Sequence, residues 1–260
     1  MIVAILGSGI TGLLAAKALC DGGFEKNSID ILTKEKQPPK PRGFTILHDN
    51  CGMELDMTEV SIKKVGSVEK YKQKLNYAEG VECSWNRYIE DRRMYGYNMF
   101  QALNILHRIY RDNIHKFTIK PSNFKTIKEH YDVIILTIPP NCLYNLDNHN
   151  FKMESTEIWI AQAKSEDYYA DTEVVYYGDD SVVLRLSKNI FGWDFVEYCK
   201  SIDDKNVQKV TKPIKISREL PQDKNIIYTG RYGKWNKRTL AHQTYWNIYG
   251  MTRKNSIQSL

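Results

Sequence analysis

A chain of 260 residues that is 42% hydrophobic is long enough to bury one large core or two smaller ones. No apolar run reaches the roughly 18 residues a membrane span needs, and the first apolar stretch, broken by Gly7 and Gly9 with no basic leader, does not read as a signal peptide. The net charge of +6 comes from lysines spread widely rather than from a dense arm, which suits an anionic small ligand and leaves nucleic acid as a less favoured partner.

In chain order, residues 2–6 (IVAIL) are a continuous apolar run, as expected of a buried parallel strand. Residues 10–21 carry apolar side chains at helical spacing, and Gly22-Gly23 end them. SIDILT (28–33) reads as a second strand, completing a βαβ layout in about 30 residues. KEKQPPKPRG (34–43) is a proline-marked loop, and FTILH (44–48) a short strand beyond it. Residues 54–80 are polar with scattered apolar positions and give no assignment. Residues 98–110 have strong helical periodicity, KFTIK (116–120) reads as a short strand, and YDVIILTIPP (131–140) as an apolar strand stopped by two prolines.

The texture then changes. Residues 157–164, 172–178, 181–188 and 193–200 resemble antiparallel strands, with a hairpin signal at YYGDDS. NIIYTGRYGKW (225–235) is a strand running into a glycine turn, residues 239–250 form a helix, and the basic tail is frayed. The fold class is therefore α/β. Residues 1–150 carry a Rossmann-like nucleotide-binding layout, 151–222 an antiparallel substrate sheet, and 223–260 a final strand, glycine turn and helix. The five cysteines (Cys20, Cys51, Cys83, Cys142, Cys199) form no C-x-x-C pair, so they read as reduced cytoplasmic thiols, not as disulfides or a metal site.

The chemistry begins at GSGITG (7–12), a G-x-G-x-x-G turn between strand and helix. Gly7 permits the turn, Gly9 lets a pyrophosphate approach the backbone, and Gly12 lets the helix pack close. The helix then aims unpaired N–H groups at the phosphates. The acid that usually ends the second strand is missing. Thr33 and Lys34 stand there, with Glu35 two residues late. Thr33 suits a ribose hydroxyl, Lys34 a phosphate as in NADP sites, and Glu35 swinging in from the loop is a further alternative.

With these residues the chain resembles the two-dinucleotide-binding-domain flavoproteins, the glutathione-reductase-like group. That group includes amine oxidases, aromatic hydroxylases and UDP-galactopyranose mutase. The resemblance rests on GSGITG, on YDVIILTIPP, on the antiparallel insert and on IIYTGRYG (226–233) before a helix. Gly230-Arg231 with Tyr232 and Trp235 is also similar to small FAD-dependent oxidoreductase-like proteins of bacteriophages.

The resemblance implies FAD, held by Gly7, Ser8, Gly9, Ile10, Thr11, Gly12, Thr33 and Lys34 at one end. Arg42 and Gly43 in the proline loop, and Gly230, Arg231, Thr239 and Leu240 in the C-terminal return, would meet its remainder. His48 and Arg231 are the candidate catalytic groups, with a strand-end structural histidine as the other, and plainer, reading of His48. Trp85 and Arg87, in an aromatic and arginine-rich stretch, and Tyr177 and Trp193, in the sheet, are substrate-binding candidates. Core packing or a solvated basic loop is the alternative for these four.

The implied activity is hydride transfer to or from the flavin on a small anionic or nucleotide-like substrate. No sequence for a second nucleotide domain is visible, so reduction would come from the substrate or from NAD(P)H docking transiently. Non-redox chemistry of the mutase type and a non-catalytic binding role are the alternatives.

Overall fold

The structure is a computed structural model that describes residues 1–37, 46–77, 83–87, 93–144, 152–166, 171–217, 219–254 and 257. Two sheets organise it. The first has five parallel strands: β1 (Val3–Leu6), β2 (Ile29–Thr33), β6 (Ile114–Lys116), β7 (Val133–Leu136) and β13 (Ile226–Tyr228), in the order β13-β7-β1-β2-β6. Counted by appearance this is the 3-2-1-4-5 arrangement of a doubly wound sheet, whose direction of winding reverses between β1 and β7. Ligands of such sheets bind at that reversal, beyond the carboxyl ends of the strands.

β1 is wholly buried because both of its faces are covered. Val3 and Ile5 pack among Leu13, Leu14, Ala18 and Leu19 of α1 (Ile10–Asp21), with Leu103 and Leu106 of α4 (Met99–Tyr110). Tyr245 and Ile248 of α7 (Ala241–Arg253) complete that layer. Ala4 and Leu6 face the other way, onto Phe124 and Ile127 of α5 (Pro121–His130). The strand's two-residue period thus feeds two helical layers. Each buried Leu or Ile contributes about 1.5–3 kcal/mol, which is why so short a strand holds its register.

The second sheet has eight strands in the order β12-β8-β11-β10-β9-β4-β5-β3. β8 (Met153–Lys164), β9 (Glu173–Gly178), β10 (Val183–Lys188) and β11 (Trp193–Tyr198) correspond to the expected antiparallel block, and β9 and β10 meet at the expected hairpin. β12 (Gln208–Ile216) forms one edge, while β3 (Ile46–Leu47), β4 (Met57–Gly66) and β5 (Met94–Asn98) extend the other side. The sheet therefore draws strands from residues 46–98 as well as from the segment 151–222. One junction, β4 with β9, is parallel, with Ile62 opposite Val174. The inner face carries Val60, Ile62, Ile158, Ile160, Val174, Tyr176 and Phe195. It is covered by Tyr71 and Leu75 from and after α2 (Val68–Lys74) and by Trp85 of α3 (Ser84–Arg87).

The differences from the sequence reading have local causes. Residues 54–80 contain β4 and α2; β4 is half-exposed and carries lysines, so it lacks a clean alternation. β12 was not expected, since Pro213 interrupts it. The proline is tolerated at an edge strand where the register shifts between Pro213 and Lys215. β6 lies at Ile114–Lys116 rather than 116–120. The glycine turn expected after β13 is a single helical turn, Gly230–Gly233 (α6), and the last helix starts at Ala241, not at 239.

Candidate dinucleotide site and the adjoining cationic cluster

At the carboxyl edge of the parallel sheet, three strand ends converge on the start of α1. Gly7 leaves β1 with φ +110, a left-handed conformation that side chains avoid, and its N–H donates to Leu32 O at 2.9 Å. A Cβ on Gly7 would lie 2.7 Å from Ile138 and from Thr137, which follow β7. Thr137 in turn donates its hydroxyl to Leu6 O at 2.7 Å. Gly12 is the third residue of α1, where a Cβ would come within 1.9 Å of Gly7 O. Both glycines are required by the protein's own packing.

Gly9 is different. It is the N-cap of α1 with φ −67 and ψ 173, extended backbone open to any residue. A Cβ there would meet nothing within 4 Å. Neither conformation nor packing accounts for the glycine. The space above it lies at the N-terminus of a twelve-residue helix, in front of its unpaired N–H groups and the positive end of its dipole. That is a cradle for an anionic ligand that must touch backbone.

The end of β2 supplies a neutral partner. The Ser8 hydroxyl donates to Thr33 Oγ1 at 2.9 Å, so the Thr33 hydroxyl keeps its own hydrogen for another acceptor. Lys34 is exposed just beyond, as is Glu35. The C-terminal return closes the other side. Gly230 has φ +72, and a Cβ on it would lie 2.3 Å from Thr11 Cγ2. Thr229, buried, donates its N–H to Leu136 O at 3.0 Å and its hydroxyl to Thr244 at 2.9 Å. Leu240 N donates to Gln243 Oε1 at 2.8 Å, capping α7, and Thr239 N donates to Asn236 O at 3.2 Å.

His48, half-buried after β3, lies edge-on to His242 of α7, with ring centroids 5.8 Å apart. Burial lowers the His242 pKa below the usual histidine value, and Asp49 opposes the shift. The pairing of His48 with His242 has no signature in the sequence, where nearly two hundred positions separate them.

Other candidates are scattered. Trp85 is buried against Tyr71 at 5.5 Å, and Trp193 stacks on Phe100 at 6.3 Å, both on the inner face of the second sheet. Tyr177 is on the opposite face from its neighbour Tyr176, and its carbonyl accepts from Lys74 at 2.8 Å. Arg87 closes α3, and Arg42 and Gly43 lie outside the described residues.

Arg231 is brought by α6 toward a group the sequence did not signal. On the inner face, Arg185 of β10 pairs with Glu197 of β11, directly opposite in register. Lys212 of β12 reaches both Glu197 oxygens at 3.1 Å. Burial would raise the Glu197 pKa, but Arg185 and Lys212 outweigh it and pull the carboxyl down to about 2. Beside them, burial pushes the Tyr77 phenol up to about 12, with Arg231 acting against the shift, and Lys237 Nζ sits 4.3 Å over the Tyr77 ring. VLRLSK and WDFVEY each carry two charges, so nothing in the linear pattern singles out Arg185 and Glu197.

Topology, reversal point and glycine turn together define a Rossmann-type dinucleotide fold carrying a second, largely antiparallel sheet. No family model and no curated protein matches the sequence. Solved structures do match in fold. One is a reduced UDP-galactopyranose mutase, with a TM-score of 0.58 and 10% identity over 100% of this chain and 96% of that one. Another is a flavoprotein/dehydrogenase from Cytophaga hutchinsonii, with a TM-score of 0.58 and 10% identity over 100% and 79%. A third is a glycine oxidase from Bacillus cereus, with a TM-score of 0.51 and 10% identity over 99% and 95%. Among the described residues, no helix is long and apolar enough to cross a membrane and no group of three metal-ligating side chains occurs.

Proposed function

We propose that the chain is an FAD-dependent oxidoreductase acting on a small anionic or nucleotide-like substrate. The observation that carries this is Gly9, a glycine that nothing in the protein's own packing demands, beneath open space at the start of α1. A ligand lying against the backbone accounts for it. The α1 amides would hold the pyrophosphate, and the Ser8–Thr33 hydroxyl pair the adenosine ribose in place of a carboxylate. Gly230 and the start of α7 would border the far end of the cofactor, with His48 and His242 able to hold or move a proton beside it. When bound, FAD supplies the hydride-transfer chemistry, and the chain supplies position and charge. The dehydrogenase and oxidase among the fold neighbours support a redox role.

The mutase neighbour, together with Arg231 beside Lys212, favours a second reading in which cations hold a sugar diphosphate. The test is the absorbance spectrum of the purified protein before and after FAD, then NADPH without oxygen. Bound-flavin bands that NADPH bleaches support a reductase or hydroxylase with NAD(P)H as transient donor. Bound flavin without bleaching moves the search to oxidisable amines and UDP-sugars. No flavin uptake at saturating FAD refutes the proposal.

A further inference from the structure

The Arg185–Glu197–Lys212 cluster is built asymmetrically. The Arg185 and Glu197 side chains are 11% and 5% exposed, whereas Lys212, which shares the same carboxylate, is 25% exposed. Arg185 is the closed part and Lys212 the open part. If Lys212 turned away, Glu197 would keep Arg185. The usual penalty for breaking a buried pair, a stranded charge, would not arise.

The return segment runs alongside. Tyr232 donates its hydroxyl to Thr211 O at 2.9 Å, and Lys237 donates its N–H to Ile214 O at 3.3 Å. These contacts lay α6 and the segment after it along β12, close enough for the Arg231 charge to act on Lys212. Building on the second sheet as the substrate-facing half, we propose that Lys212 and Arg231 form an exchangeable anion site. In it a substrate carboxylate or phosphate displaces Glu197 from Lys212, while Arg185 retains Glu197.

Two cations on one carboxylate leave the triad with one unit of positive charge in a place poorly screened by water, where a second anion is strongly attracted. Lys212 registers this. Burial brings its pKa down to about 8 against the pull of Glu197, and Arg185 and Arg231 add to the fall. Lysine suits the exchanging position, being a compact charge on a flexible stem, and arginine the fixed one.

The test is thermal unfolding of the full chain with FAD present, in inorganic phosphate against sodium chloride of equal ionic strength. Stabilisation that grows with phosphate yields an affinity. In Lys212→Gln and in Arg231→Gln that affinity falls about tenfold or more, and Lys212→Arg keeps most of it. Gly9→Val, which blocks the nucleotide cradle, retains the phosphate response, so the anion site can stand even where FAD binding fails. Acetate in place of phosphate tells which headgroup the site prefers. Should Lys212→Gln not fold, Arg231→Gln, at a half-exposed turn, makes the comparison. Equal phosphate response in wild type and variants, no response in wild type, or a response abolished by Gly9→Val overturns the proposal.

Discussion

Gly9 and Gly12, three residues apart at the start of α1, offer a clean separation of fold from function. Gly12→Ala adds a Cβ 1.9 Å from Gly7 O, a backbone atom that cannot swing aside. Overpacking of this kind costs about 1–3 kcal/mol, and contact with backbone puts it at the upper end. The better helix propensity of alanine returns roughly 1 kcal/mol. A net loss of about 2 kcal/mol lowers Tm by roughly 4–8 °C in a chain of this size. Gly9→Ala adds its Cβ to open space with no backbone strain. Alanine is a poorer N-cap than glycine by about 0.5–1 kcal/mol, and the stiffer unfolded chain offsets about 0.4–1 kcal/mol. Stability should thus change by less than about 0.5 kcal/mol. FAD affinity, read from quenching of flavin fluorescence, should fall in Gly9→Ala and vanish in Gly9→Val. Calorimetry without FAD and a flavin titration decide the matter. A Gly9→Val protein as unstable as Gly12→Ala, or one that binds FAD as wild type does, would refute the reasoning.

Further outcomes follow from the same geometry. Gly230→Ala combines a left-handed backbone with a Cβ 2.3 Å from Thr11 Cγ2, so it should cost about 2–4 kcal/mol in urea unfolding. Adding Thr11→Ser, which removes that methyl, should recover part of the loss; strict additivity would count against the contact. Glu197→Gln leaves Arg185, and the partly exposed Lys212 beside it, without their carboxylate and should cost about 3–5 kcal/mol near neutral pH. With the folded pKa of Glu197 at about 2, its contribution is complete above the unfolded carboxyl value and is lost as pH falls toward 2. Wild type should therefore converge on Glu197→Gln in acid. Lys212 has the opposite window. The unfolded chain binds its proton up to about pH 10.4, whereas the fold releases it near 8. Wild type should accordingly gain stability relative to Lys212→Met between those values, and a constant difference across that range would exclude the shift.

Much of the parallel half was legible because its signals are local. IVAIL, the glycine turn and the periodic helix after it are adjacent in sequence, and each constrains the next. The wider sheet was not, because β4, β5 and β12 owe their strand state to partners elsewhere. Lys63 of β4 stands opposite Val175, and Lys209 of β12 opposite Trp159. A polar, half-exposed strand has no two-residue alternation strong enough to announce itself. The site divided in the same way. Gly7, Gly9 and Gly12 could be assigned separate duties from spacing alone. His48 with His242, and Arg185 with Glu197 and Lys212, are products of pairing between distant segments, which a linear pattern cannot encode.

The parallel seam between β4 and β9 has a consequence for how the chain comes into being. Ser61 bonds to Thr172, 111 positions away, while β1 at the start of the chain shares a sheet with β13 near its end. During synthesis β4 emerges with its inward residues Val60 and Ile62 long before the strand that completes that edge. Contacts of such separation are slow to form, since loop closure must be met before any pairing rewards it. The two sheets are threaded through one another along the chain rather than strung in series. Neither is one continuous stretch of chain, and β4 cannot complete its pairing until β9 has been made.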